Sequence, residues 1–410
     1  MKIFFTLITC FLLFQAVNSN ANTLRTKGII VNGLSADTIL VPVINQPLPI
    51  GAQGGIFKRR LDSIRKDVQL DYNGYVQGYI DLYMRNRDEM GQVVGLAKYY
   101  FPIYEKAFRD AGIPEEIKYL SIVESKLDPN AVSRVGATGP WQFMATTGKI
   151  YGLAMDSYID ERRDPIQASY AAAAYLKDAY QEFGDWLLAI ASYNCGKSNV
   201  EHAVEKAGGV TDFWSIRQYL PMETRGYVPA FIAMNYVMAY YKHHNIIPQA
   251  CGFSLLTDTV MVKKFISLNN VAQALNISVN ELAILNPAYR RLIVNGTPNQ
   301  PRRLVLPQTS KQNFAALYNV LNGNTDAVAP MALQTKPEYA VLNTANTEVK
   351  TLRRMPVRHK IKRGETLASI ADKYGVEVHD LKLWNNLESN HAPVGQTIKV
   401  AAAGDISASL

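Results

Sequence analysis

Cysteine is scarce in this chain, with 3 among 410 residues, and the scarcity removes a whole class of small folds. A disulfide framework needs an even, closely spaced set. Here Cys10 lies in an apolar N-terminal run, and Cys195 and Cys251 stand far apart without the spacing of metal ligands. The 6 histidines form no HExxH pair, so no metal is expected. Long apolar runs are equally rare. The run over residues 3–17, after Lys2, is shorter than the ~20 residues a spanning helix needs. It ends in Asn18-Ser19-Asn20-Ala21, the form of a cleaved secretory signal over residues 1–21. Blocks of like charge are also missing. The formal net charge is +8, but Lys and Arg are scattered, with no reading helix, metal-bound finger or RNA-binding aromatic signature, so no nucleic acid partner is expected. An exported protein follows. Peripheral or lipid-anchored membrane association stays open, although Leu7-Ile8-Thr9-Cys10 matches a lipid-attachment signal poorly, and oligomeric state is not encoded in any recognisable pattern.

A chain of this length exceeds the ~250–300 residues at which single cores stop growing. Residues 22–70 read as an extended N-terminal segment, because Asn, Pro and Gly interrupt any lasting period over their first half. Residues 71–247 carry long helical patterns, with helices expected over 75–85, 93–111 and 168–183. Beyond Pro248 the pattern turns to short strands and short helices. Residues 308–354, rich in Asn, Thr, Ala and Pro, read as a linker.

Two segments on either side of that linker are copies of one unit. Thr366, Leu367, Ile370, Ala371, Val376, Leu381 and Asn385 correspond to Ser267, Leu268, Val271, Ala272, Ile277, Leu282 and Asn286, each pair 99 apart in the chain. Each copy begins with a strand (261–266; 357–361), continues through a Ser- or Thr-capped helix and a second short helix, and ends in a strand (303–306; 397–400). His359-Lys360-Ile361-Lys362-Arg363-Gly364-Glu365-Thr366-Leu367 resembles the LysM domain, a family that binds glycans containing N-acetylglucosamine. The resemblance makes 355–402 a LysM domain and 259–307 a divergent LysM-like module. The divergent copy has Phe265-Ile266-Ser267-Leu268 in place of the Gly-Glu-Thr-Leu turn, and its final loop is enlarged by residues 289–303. The alternative for either copy is a spacer that binds no sugar.

In the helical region, Gly112-Ile113-Pro114-Glu115-Glu116-Ile117 starts a helix well, with Pro in the first turn and two acids at its positive end. Ile117, Leu120, Glu124 and Leu127 then fall at i, i+3, i+7 and i+10, which puts a glutamate in the stripe that should face the core. Burial disfavours the charged carboxylate and would leave it protonated at neutral pH, able to give a proton to a leaving oxygen. A buried glutamate paired structurally with an Arg or a Tyr would satisfy the same pattern.

Further along come Gly136-Ala137-Thr138-Gly139-Pro140-Trp141-Gln142, whose glycines let backbone approach a ligand, then Ser192-Tyr193-Asn194-Cys195-Gly196 and Glu223-Thr224-Arg225-Gly226-Tyr227-Val228. In this order, Glu-Ser, Gly-x-x-Gly-x-Trp-Gln, Ser-Tyr-Asn-x-Gly and Glu-Thr-Arg-x-Tyr-Val closely resemble the soluble-type lytic transglycosylase domain. Ser192 stands where that motif usually has Ala, and Gly226 where it often has Asn. The resemblance implies a mainly α protein: a lysozyme-like helical catalytic domain over 71–247 followed by two small βααβ modules of LysM type. It implies Glu124 as catalytic acid and base, with Ser133, Gln142, Tyr193, Asn194 and Tyr227 binding substrate or completing the pocket, and Glu223 in a structural role. The implied partner is the peptidoglycan glycan strand, cut between N-acetylmuramic acid and N-acetylglucosamine to leave 1,6-anhydromuramic ends, with no cofactor. Two other readings stand beside it: a lysozyme-like hydrolase using Asp128 or Asp160 as a second carboxylate, and a cell-wall-binding protein without activity.

Overall fold

The computed structural model describes residues 42–51, 53–310 and 313–323, together with 358–362, 365–367, 370, 381, 385, 387 and 393–400. The expected signal over 1–21 and most of the expected linker lie outside the described residues. Residues 54–247 form a helical body: α1 (Gly54–Ile64), α2 (Gly74–Arg85), α3 (Arg87–Ala111), α4 (Leu120–Ser125), α5 (Ala145–Ile150), α6 (Pro165–Phe183), α7 (Trp186–Cys195), α8 (Lys197–Lys206), α9 (Phe213–Ile216) and α10 (Met222–Tyr240). The protein is mainly helical, as the sequence patterns indicate.

Local chemistry sets these boundaries. Asn73 caps α2 by accepting from the Tyr75 and Val76 amides. Asp164 caps α6, with Pro165 in the first turn and Gly184 in the left-handed region behind its last turn. The body is built around α10, which is buried on nearly every side and packs against α1, α2, α4 and α7, while α3 lies along α6. One expectation is corrected here. Residues 22–70 are not extended throughout, because α1 buries Phe57 and Leu61 in the main core, and its Arg60 donates to the Tyr236 hydroxyl at 2.9 Å.

The next unit follows without slack. Residues 247–251 run along α3: the Gln249 amide donates to the Gly91 carbonyl at 2.9 Å and the Cys251 thiol to the Gly95 carbonyl at 3.3 Å. A Cβ at Gly95 would sit 2.0 Å from the Gln249 carbonyl oxygen, and one at Gly91 would sit 2.4 Å from that of Ile247. Two missing side chains therefore form the track on which this crossing is laid.

Residues 257–322 comprise β1 (Thr257–Val262), β2 (Phe265–Ser267), α11 (Leu268–Leu275), α12 (Val279–Leu285), β3 (Ile293–Asn295), β4 (Arg302–Pro307) and α13 (Phe314–Asn322). The single strand expected over 261–266 is two strands. β1 pairs antiparallel with β4, Thr257 opposite Pro307, whereas β2 pairs with β3, Ile266 opposite Val294. The enlarged final loop supplies β3, so the chain changes partner at Lys263 and Lys264. Ser267 and Ser278 cap the two helices. A second correction concerns the linker, since α13 lies inside its expected range and buries Leu317 in the same small core.

In the C-terminal copy, β5 (Arg358–Lys360) pairs with β6 (Thr397–Lys399) over a core of Ile361, Leu367, Ile370, Leu381, Ile398 and Val400. The two copies share one device. Asn286 donates to Leu282 and Val305 carbonyls and accepts from the Val305 amide, and Asn385 does the same with Leu381 and Lys399. The span from Asn to strand is 19 residues in the first copy and 14 in the second, so the first loop is longer by five.

Gly95→Ala is expected to lower stability by up to about 2 kcal/mol, because crowding of the backbone at the 247–251 crossing, at the upper end of about 1–3 kcal/mol, outweighs the gain of about 1 kcal/mol from alanine in a helix. Urea unfolding checks this, and a midpoint at or above wild type would show that the crossing does not press on α3.

Candidate active site

Glu124 is reached by a 3₁₀ turn over Glu115–Tyr119 leading into α4, rather than by one long helix. The helix stops one residue after Glu124 because Lys126 and Leu127 adopt left-handed backbone, with φ of 56° and 67°. Ile117, Leu120 and Leu127 are nonetheless fully buried, so the apolar stripe exists, although Leu127 enters it from beyond the helix end. Glu124 itself is 3% exposed. Ser125 ties the end of α4 to the next loop by donating to the Pro140 carbonyl at 2.9 Å.

Tyr227, on α10, donates its phenol to Glu124 Oε1. Burial pushes the Glu124 carboxyl up to about 8; the Tyr227 hydrogen bond pulls it down, and the charge of Glu223 pushes it further up. Burial, followed by the Glu124 charge, also holds the Tyr227 and Tyr193 phenols well above their ordinary range. Glu223 sits one turn before Tyr227 on the same helix, and sequence reasoning gave it only a structural role. Its i, i+4 spacing from Tyr227 was the available signal. Asp160, one of the two acids weighed as a second carboxylate, is engaged by Arg162 at 2.9 Å.

Tyr193 donates to the Trp141 carbonyl at 2.8 Å and meets Phe143 and Tyr175 edge-on. The neighbouring Asn194 accepts from the Thr224 hydroxyl at 2.7 Å, which links α7 to α10. Trp141 is fully buried against Tyr104 and Phe108, with its indole N–H on Ser169 at 2.9 Å. It anchors the loop in the core and offers no face to a sugar.

The loop itself is a compact knot. Ser133 Oγ accepts from the Ala137 amide at 3.0 Å, and Thr138 pairs with both Val132 and Phe143. Gln142 has φ of 48°, and its side-chain nitrogen donates to the Ala131 and Gly139 carbonyls. Its Oε1 is buried without a partner among the described residues, an acceptor that costs free energy until something donates to it. The two motif departures lie off the site: the Ser192 hydroxyl donates within its helix to Ala189, and Gly226 faces Tyr79.

Comparison with known proteins agrees with this layout. The family model described as Transglycosylase SLT domain matches residues 101–213, the one described as Lytic transglycosylase MltD, LysM-like domain matches 256–322, and LysM domain matches 359–401. Membrane-bound lytic murein transglycosylase D of Escherichia coli (strain K12) is 30% identical over 324 residues, covering 78% of this chain and 67% of that protein. Membrane-bound lytic murein transglycosylase F of Maricaulis maris (strain MCS10) is 32% identical over 138 residues, covering 30% of this chain and 29% of the relative. Among solved structures, the 70 kDa soluble lytic transglycosylase from Escherichia coli is 26% identical with a TM-score of 0.31, over 34% of this chain and 24% of its own. The chain belongs to the membrane-bound lytic murein transglycosylase D family, with a Transglycosylase SLT domain followed by LysM-type domains.

Proposed function

We propose that this lytic murein transglycosylase of the cell envelope cuts the β-1,4 bond between N-acetylmuramic acid and N-acetylglucosamine with Glu124 as its one acid and base. The observation that carries the reading is a carboxyl, buried and pushed up to about 8, whose Oε1 is taken by Tyr227, leaving Oε2 to carry the proton. In the first step Glu124 protonates the glycosidic oxygen as the C1–O bond breaks, and the substrate's own acetamido group supports the anomeric carbon. In the second, the ionised Glu124 takes the proton of the muramyl 6-hydroxyl as its oxygen closes on C1. Water is not consumed, and Glu124 ends as it began. Ser133, Gln142, Tyr193 and Asn194 hold the strand, with the unpartnered Gln142 Oε1 accepting from a sugar N–H or hydroxyl. No helix among the described residues is long and apolar enough to cross a membrane; membrane association, suggested by the relatives' name, would be peripheral or by a lipid anchor.

Mass spectrometry of products from purified sacculi tests the reaction. Anhydromuramic ends are expected, and Glu124→Gln should lower turnover by at least about a hundredfold. Reducing muramic ends would instead indicate hydrolysis with a second carboxylate.

The raised Glu124 value also has a stability consequence. Between the ordinary 4.5 and about 8, the folded chain holds a proton that the unfolded chain has lost, so stability declines as pH rises through that window. Glu124→Gln has no such group. Its melting temperature should exceed wild type by a margin that widens from about pH 5 to about pH 8 and then levels; a margin independent of pH would contradict a buried neutral carboxyl.

The C-terminal LysM domain raises the local concentration of glycan at the active site. Truncation after Gly323, which keeps α13 on its core, should weaken binding to insoluble sacculi and leave cleavage of short soluble glycans within about twofold of wild type. Equal loss in both assays would make the domain structural.

A further inference from the structure

Residues 156–164 lie between the glycan-site loop and the 257–322 module, and they are bonded to both. Toward the loop, the Arg162 guanidinium spends its donors on three partners. Nε and Nη2 each reach an Asp160 carboxylate oxygen at 2.9 Å. Nη1 donates to the Gly136 carbonyl at 3.0 Å and to the Phe143 carbonyl at 3.2 Å. Those two carbonyls are the ends of the segment that carries Gln142. The loop also rests on the Arg162 backbone, since a Cβ at Gly139 would come within 1.8 Å of the Arg162 carbonyl oxygen.

Toward the module, the same stretch is held by main chain and charge. The Asp160 amide donates to Ala288 and the Arg290 amide to Tyr158, both at 2.9 Å, and Ile159 bridges Tyr289. Arg302 pairs with Glu161 at 3.2 Å, and Arg303 with Asp164 at 2.8 Å. Except for Ala288, the module's partners belong to the enlarged loop and its return strand, the part in which this copy differs from the C-terminal one.

We infer that Arg162 is a positioning residue for glycan cleavage, and that the docked module, by clamping residues 159–164, holds the 136–143 loop and the Gln142 amide in their binding geometry. The inference rests on the proposed role of Gln142. A planar guanidinium suits the task because its donors are fixed relative to one another. A lysine offers a single nitrogen, whereas Arg162 uses three to engage both Asp160 oxygens and the two carbonyls at once. The ion pairs are largely sheltered, which weakens salt screening.

The test uses the full chain. Amide hydrogen exchange is followed in segment 133–144 and in α10 for wild type, Arg302→Gln/Arg303→Gln, Arg302→Lys/Arg303→Lys and Arg162→Lys, alongside steady-state cleavage of short soluble glycans. The glutamine pair and Arg162→Lys should speed exchange in 133–144 by about tenfold while α10 stays as in wild type. KM should rise with kcat near its original value, and the lysine pair should restore both. Unchanged exchange in 133–144 overturns the inference. So does a uniform rise in the loop and α10, which would mark a loss of global stability. If the wild type cleaves no glycan, the functional reading fails, while the exchange data still report whether module and loop are coupled.

Discussion

Keeping the Glu124 carboxyl out of water while satisfying its oxygen is the constraint around which this helical body is arranged. Burial alone would leave Glu124 neutral but unoriented, and an unsatisfied polar group in an apolar wall costs free energy. The Tyr227 hydroxyl meets that need on one oxygen, and it arrives there because α10, buried on nearly all sides, passes behind α4. The left-handed residues Lys126 and Leu127 end α4 at this place and return the chain toward the loop that carries Gln142. Glu223 contributes its field from the same helix face as Tyr227, so one helix both restrains and raises the Glu124 proton affinity.

The two LysM-type copies share one hydrogen-bonding device and differ in one loop. Both use an asparagine to tie the second helix to the last strand, with matching hydrogen bonds. The first copy spends its longer loop on β3 and on contacts with residues 156–164, and its approach is laid down along α3 at Gly91 and Gly95. Among the described residues the first copy thus differs from the second by a longer loop between the asparagine and the last strand.

Periodicity and caps made the long helices legible. The expected 75–85, 93–111 and 168–183 lie within or close to α2, α3 and α6, because each has an apolar stripe between recognisable end signals. The unseen elements lacked such signals. α1 stands in a segment without a lasting period at its start, and α13 lies in a stretch whose Asn, Thr and Ala content resembles a linker. The division of 261–266 into two strands depends on β3, a partner contributed about thirty residues later, which no local pattern could announce.

At the site, sequence by itself determined the residue types and the order of the motifs, including a glutamate in an apolar stripe. Only the tertiary structure decided that Tyr227 satisfies Glu124, that Trp141 is a core anchor, that Gln142 keeps an open acceptor, and that Arg162 bonds both ends of the loop that carries Gln142. The reason is physical: periodicity reports which face of an element is turned inward, whereas hydrogen bonds and fields depend on which elements meet across that face, often more than a hundred residues apart.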